Sequence, residues 1–138
     1  MNTFTLSNTS LTRLDGVEER GKILVKMALS LSPIDFGIAF DGGKRSAEKQ
    51  MEIFKAGNSK CDGITTKSKH QLGKAIDFVP FVNNKANMGS HNYYIIIGAF
   101  FAAAKSLGLE ITSGANWDND GEFITDQTFQ DLGHIEWK

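Results

Sequence analysis

An α+β domain, a small antiparallel sheet flanked by helices, is what the 138 residues predict. Two observations carry this. Helical and strand-like segments follow one another without the regular alternation that a parallel sheet requires. Composition is that of an ordinary globular chain, 41% hydrophobic and 22% charged, with only two prolines and no internal repeat. The expectation is one continuous domain over residues 1–138, large enough to bury a core unaided.

The elements follow in order. Residues 11–15 lead into a helix expected over 17–31, with Val17, Leu24, Ala28 and Leu31 on one face. Ser32-Pro33 ends it, because a residue before proline is pushed out of the α region. Residues 36–40 predict a short strand, closed by the turn Asp41-Gly42-Gly43. Ser46 is a suitable N-cap for a helix over 47–56, in which Ala47, Gln50, Met51 and Phe54 share a face, and Gly57 stands where that helix should stop. A polar, basic loop fills 58–71. Residues 74–79 predict a strand with Ala75, Asp77 and Val79 on one side and Ile76 and Phe78 on the other. Residues 93–107 are apolar nearly all round and predict a central helix stopped by Gly108. Residues 109–112 and 132–137 complete the strands.

Charge narrows the partners. A net charge of −1 argues against an electrostatic nucleic-acid binder. Its distribution is uneven: residues 44–85 hold nine basic and four acidic side chains, residues 106–138 one and seven. Two solvated faces explain this, as does a cation-holding acidic section beside a basic section that meets an anionic substrate. The single cysteine, Cys61, excludes an internal disulfide framework and a multi-cysteine zinc module. It lies in a polar loop without a histidine nearby, which does not suit a catalytic thiol. Residues 1–10 lack the basic start and apolar run of a signal peptide. The uncharged stretch 93–104 falls short of the ~20 residues that span a bilayer. The expectation is synthesis in the cytoplasm, no membrane insertion and, by default, a monomer.

Chemistry concentrates in two motifs. In Ser68-Lys69-His70-Gln71-Leu72-Gly73-Lys74-Ala75-Ile76-Asp77, a loop histidine and a strand aspartate converge if Gly73 turns sharply. A carboxylate among Ala75, Ile76, Phe78 and Val79 is costly unless paired or bound to metal. In Asp131-Leu132-Gly133-His134-Ile135-Glu136, His134 and Glu136 alternate onto one strand face. Two histidines and a carboxylate suit a catalytic zinc, which keeps a fourth position for water. His91, just before the central helix, is expected as a cap or surface residue.

Ser68-x-His70-x-x-Gly73-x-Ala75-x-Asp77 followed by Asp131-x-x-His134 resembles the signature of the zinc D-alanyl-D-alanine carboxypeptidases, dipeptidases and L-alanyl-D-glutamate peptidases, most of all the phage endolysin branch. Ser32-Pro33-Ile34-Asp35-Phe36, Arg45-Ser46-x-x-x-Gln50 and Gly114-Ala115-Asn116-Trp117 occur in the same order there, so the resemblance spans about residues 11–138. It implies a hedgehog/DD-peptidase-like fold with no separate wall-binding domain. It also implies His70, Asp77 and His134 as zinc ligands, Asp131 as base and Arg45 as electrophilic helper. Asp131 stands where the carboxypeptidases usually carry glutamate, as in the endolysin branch. Ser68 either bonds substrate backbone or shapes its loop, and Trp117 either lines the substrate groove or packs in the core. Glu136 is a rival base or an orienting partner of a ligand, the latter favoured because the family places the base before the histidine.

The activity implied is hydrolysis of the L-Ala–D-Glu bond of peptidoglycan stem peptides by a phage endolysin that reaches the periplasmic wall from the host cytoplasm through a holin-type pore. The alternatives are a D-alanyl-D-alanine carboxypeptidase, usually exported, and a non-catalytic zinc-stabilised binding domain. Separately, Asn116, Asp118, Asp120 and Gly121 resemble the first half of an EF-hand calcium loop. Gln127 takes the place of the bidentate glutamate, with Asp126 beside it, so a weak calcium site and a solvated acidic loop both remain open.

Overall fold

The computed structural model describes residues 2–116 and 131–138. Its elements are α1 (Asn8–Arg13), α2 (Glu19–Leu31), β1 (Asp35–Ile38), α3 (Ala47–Lys55), β2 (Ala75–Val82), β3 (Lys85–Ala86), α4 (Ser90–Leu107), β4 (Ile111–Ser113) and β5 (His134–Trp137). The strands form one antiparallel sheet in the order β1-β2-β5-β4, with β3 paired to β2. This is the expected α+β architecture.

Helices α2 and α4 pack against each other over one sheet face. Leu24, Val25 and Ala28 of α2 meet a core built with Ile96, Phe100 and Ala103 of α4. From the sheet come Phe36, Ile76, Phe78, Ile135 and Trp137, all nearly inaccessible to water. The rings of Phe36, Phe78 and Phe100 lie 5.2–5.5 Å apart between centroids, and such pairs add about 0.5–1.5 kcal/mol each beyond burial. Because Ile76 and Phe78 point into this core, Asp77 must point out of it, and the same alternation sends Ile135 inward and His134 outward.

Several elements differ from expectation. Helix α1 is an extra helix, capped by Ser7 Oγ, which accepts from Ser10 N at 3.1 Å. Helix α2 starts two residues later than expected: Val17 is buried from the preceding turn, where Glu18 N donates to Gly73 O, and Leu31 is exposed. Strand β1 stops at Ile38 because the chain turns through Asp41 in the left-handed region, φ 57°. Helix α3 is capped by Ser46 as expected, yet it buries only Gln50 and leaves Ala47 and Phe54 exposed. It therefore rests on the following loop through a polar anchor.

Strand β2 runs three residues past its expected end, through Pro80. The proline carbonyl accepts from Asn87 N at 2.9 Å, on the side where β3 has ended, so no ladder donor is lost. Asn83 and Asn84 (φ 52° and 63°) make the two-residue turn to β3. Helix α4 begins at Ser90 and is not surrounded: Ile95 and Leu107 face outward. Strand β4 starts two residues after its expected start, and β5 likewise. No helix among the described residues is long and apolar enough to cross a membrane.

Candidate metal centre

The register of β2 and β5 sets Asp77 directly opposite His134. Residue 70 reaches the same point from the loop before β2. There Ser68 and Gln71 cap each other: Ser68 N donates to Gln71 Oε1 at 3.0 Å, and Gln71 N donates to Ser68 Oγ at 3.3 Å. Gly73 then turns the chain with φ 71°, the sharp turn that convergence demands.

His70 Nε2 and His134 Nδ1 lie 3.2 Å apart, and Asp77 Oδ1 lies 3.4 Å and 3.2 Å from them. Among the described residues, these three side chains form the group that could hold a metal ion. Each histidine is fixed from behind. His70 Nδ1 donates to Gly43 O at 2.9 Å, leaving the Nε2 lone pair to face inward, and His134 Nε2 sits 2.9 Å from Glu136 Oε1. Such outer partners set tautomer and ring angle at metal sites. The Glu136 contact agrees with its reading as an orienting partner. Gly43 had no signal in the sequence beyond its place in the turn, since the contact uses a backbone oxygen.

Electrostatics agree with this geometry. Burial alone would raise the Asp77 carboxyl, but the charge of His70 and hydrogen bonds from both histidines hold it well below the usual carboxylate range. Burial opposes a charged His134, yet its bonds to Asp77 and Glu136 push it up to about 9. The Asp77 and Glu136 carboxylates thus favour positive charge at this point. The donor set of two imidazoles and a carboxylate, converging with both rings oriented, fits a zinc-type centre.

Arg45 is brought to this site rather than to a glutamate of the helix that follows it. Its Nη2 lies 3.0 Å from Asp77 Oδ2, its Nε donates to Asp41 O at 3.1 Å, and its Nη1 donates to Gln50 Oε1 at 3.2 Å. The guanidinium has N–H donors beyond these three. Asp131 is half-buried at the entry to β5, its backbone tied to Gly114 O and His134 N. Burial raises its carboxyl, Asp77 raises it further, and His134, His70 and Arg45 pull the other way.

The remaining predicted residues fall elsewhere. His91 is exposed in the first turn of α4. Cys61 is a half-buried free thiol whose carbonyl accepts from Gln50 Nε2 at 2.8 Å. Asn116 is buried, while Trp117, Asp118, Asp120 and Asp126 lie outside the described residues.

Comparison with known proteins is consistent along the whole chain. Residues 2–137 match the family described as phage L-alanyl-D-glutamate peptidase. The chain is 32% identical over 137 residues to the L-alanyl-D-glutamate peptidase of Escherichia phage T5, covering 96% of this chain and 97% of that one. The crystal structure of the Serratia marcescens L-Ala D-Glu endopeptidase ChiX shares the fold with a TM-score of 0.78 at 24% identity, over 97% of this chain and 90% of the other.

Proposed function

Since the chain belongs to the phage L-alanyl-D-glutamate peptidase family, we propose that it is a zinc-dependent endolysin hydrolysing the L-Ala–D-Glu bond of peptidoglycan stem peptides. The observation that carries the metal part of this reading is the convergence of His70 Nε2, His134 Nδ1 and Asp77 Oδ1. These three residues would hold the ion. Bound there, zinc supplies Lewis acidity toward water and the scissile carbonyl.

The chain's own groups supply the rest. Asp131, raised by burial and by Asp77, is the base that accepts the proton of the attacking water at its carboxylate and returns it to the leaving amine of D-glutamate. Arg45 stabilises negative charge on the carbonyl oxygen with its remaining N–H groups. Held by Asp41, Gln50 and Asp77, it needs little reorganisation to do so. Gly43 O and Glu136 keep the two imidazoles aimed. Ser68, beyond closing its turn, and Trp117 are proposed to contact the stem peptide.

The substrate reading includes action on the periplasmic wall after release through a holin-type pore, by a single-domain monomer. Calcium in the segment containing Asn116, Asp118, Asp120 and Asp126 is proposed as a second cation that raises activity. Unchanged rates and no heat of binding at millimolar calcium would discard it. The zinc reading is tested by metal analysis of purified protein and of His70→Ala, Asp77→Ala and His134→Ala. The expected result is zinc in the parent chain, with zinc and wall hydrolysis lost together in each variant. Hydrolysis by the zinc-free chain would overturn it.

A further inference from the structure

Phe40 is the most exposed large hydrophobic side chain among the described residues, at 76%. It stands in the turn after β1, and both of its chain neighbours are bonded to residues of the metal centre. Ala39 N donates to Asp77 O at 2.9 Å, and Asp41 O accepts from Arg45 Nε at 3.1 Å. Consecutive Cα atoms are about 3.8 Å apart, so Phe40 is one step along the chain from two direct contacts with that centre.

Two cations flank the ring, the Arg13 guanidinium 5.7 Å and the Lys49 ammonium 5.9 Å from its centroid. Both are already committed. Arg13 Nη1 donates to Ile38 O at 2.9 Å, and Lys49 Nζ lies 3.1 Å from Asp41 Oδ2 and 3.4 Å from Glu52 Oε2. They steady the ring more than they offer charge to an anion. Beyond Arg13, α1 adds a hollow of about 320 Å³ lined by Asn8, Thr9, Thr12 and Arg13. An aromatic ring beside an amide and two hydroxyls complements a neutral, hydroxyl-rich ring. The C–H groups of such a ligand meet the negative face of the phenyl group, and its hydroxyls meet the polar side chains.

We propose that Phe40 is a stacking platform for the sugar that bears the stem peptide, with the α1 hollow taking the neighbouring sugar of the glycan. The inference rests on the peptidase reading above and deepens it by adding the glycan to the substrate. On the amino side of the scissile bond, one alanine and a three-carbon ether lead from the carbonyl to the sugar, about 7 Å of chain. On the carboxyl side, D-glutamate brings a free carboxylate, which the committed Arg13 and Lys49 do not favour. The neutral group within reach is therefore the sugar.

The test uses zinc-loaded enzyme and two soluble substrates with the same lactyl-stem peptide, one carrying its disaccharide and one without it. Covering one face of a phenylalanine ring is worth about fivefold to tenfold in affinity, so the parent should show a KM lower by that factor for the disaccharide substrate. Phe40→Ala should raise this KM to that of the sugar-free peptide, with kcat and zinc content unchanged. Phe40→Trp should keep the preference, and Ile95→Ala, exposed on α4, should leave it as in the parent. If the parent cleaves both substrates equally well, or Phe40→Ala keeps the preference, the platform is overturned and the peptidase reading stands. A preference abolished in 1 M salt, where charges are screened beyond about 3 Å, would also overturn it, because the cations would then be the binding groups. If the parent cleaves neither substrate at L-Ala–D-Glu, the peptidase reading falls. Titrating peptide-free glycan chains into the parent and Phe40→Ala then decides the platform: weaker binding by the variant supports it, and equal affinities overturn it.

Discussion

Asp131 and Glu136 are both carboxylates beside His134, and the proposed mechanism gives them different tasks. Glu136 touches the back of the imidazole, so Glu136→Gln should weaken metal binding about 10–100-fold, measured by competition with a chelator of known affinity. Asp131→Ala should retain the metal and the fold yet lose about 10²–10⁴-fold in turnover. Near-parental turnover in Asp131→Ala would pass the base role to Glu136. At this scale the sequence was legible where chemistry resides in side chains. Histidine and aspartate on either side of a glycine turn, and Asp-x-x-His leading into a strand, pointed to the three side chains that converge as a candidate metal-binding group. What stayed hidden was the backbone. Gly43 O orients His70, and the Asp77 partner of Arg45 lies across the fold, 32 residues away. No local pattern marks either.

Elements were legible where periodicity was strong and illegible where tertiary contacts decided. The alternation in β2 and β5 was readable because one face of the sheet is buried. Helix α1 and the β3 hairpin are too short to show a period, and Pro80 hid the end of β2 until its carbonyl partner was seen. The start of α2 is set by distant residues. Trp137 lies against Gly21, and its Nε1 donates to Glu18 Oε1 at 3.0 Å. A Cβ at position 21 would meet the Trp137 ring, so Gly21→Ala should cost about 1–3 kcal/mol in urea unfolding. The Trp137 hydrogen bond, followed by Arg20, lowers the Glu18 carboxyl below its ordinary value of 4.5. A carboxyl depressed in the folded state contributes stability that is complete above that value and is lost as pH falls through the folded-state value. Melting temperatures measured from pH 6 to pH 3 should therefore fall more steeply for the parent than for Glu18→Gln.

The whole molecule places the three side chains of its candidate metal group on one sheet face while α2 and α4 bury the other. The candidate ligands come from the loop before β2, from β2 itself and from β5 near the carboxyl end, so an ion bound there would tie together segments distant in sequence. Removing it should lower the melting temperature by several degrees. Binding to the folded state alone contributes about 2.7 kcal/mol when free metal is about 100 times its dissociation constant. Re-adding zinc should restore the transition. The fold class was legible at this scale because irregular alternation of elements leaves few arrangements for a chain of this length.

The proposed function turns on which bond is cut. Purified peptidoglycan digested with the zinc-loaded enzyme, its soluble products resolved by mass spectrometry and their new amino termini identified, tests it most directly. The expected products carry D-glutamate as the new amino terminus and leave L-alanine on the glycan, with no free D-alanine. Release of D-alanine alone would contradict it and identify a carboxypeptidase instead.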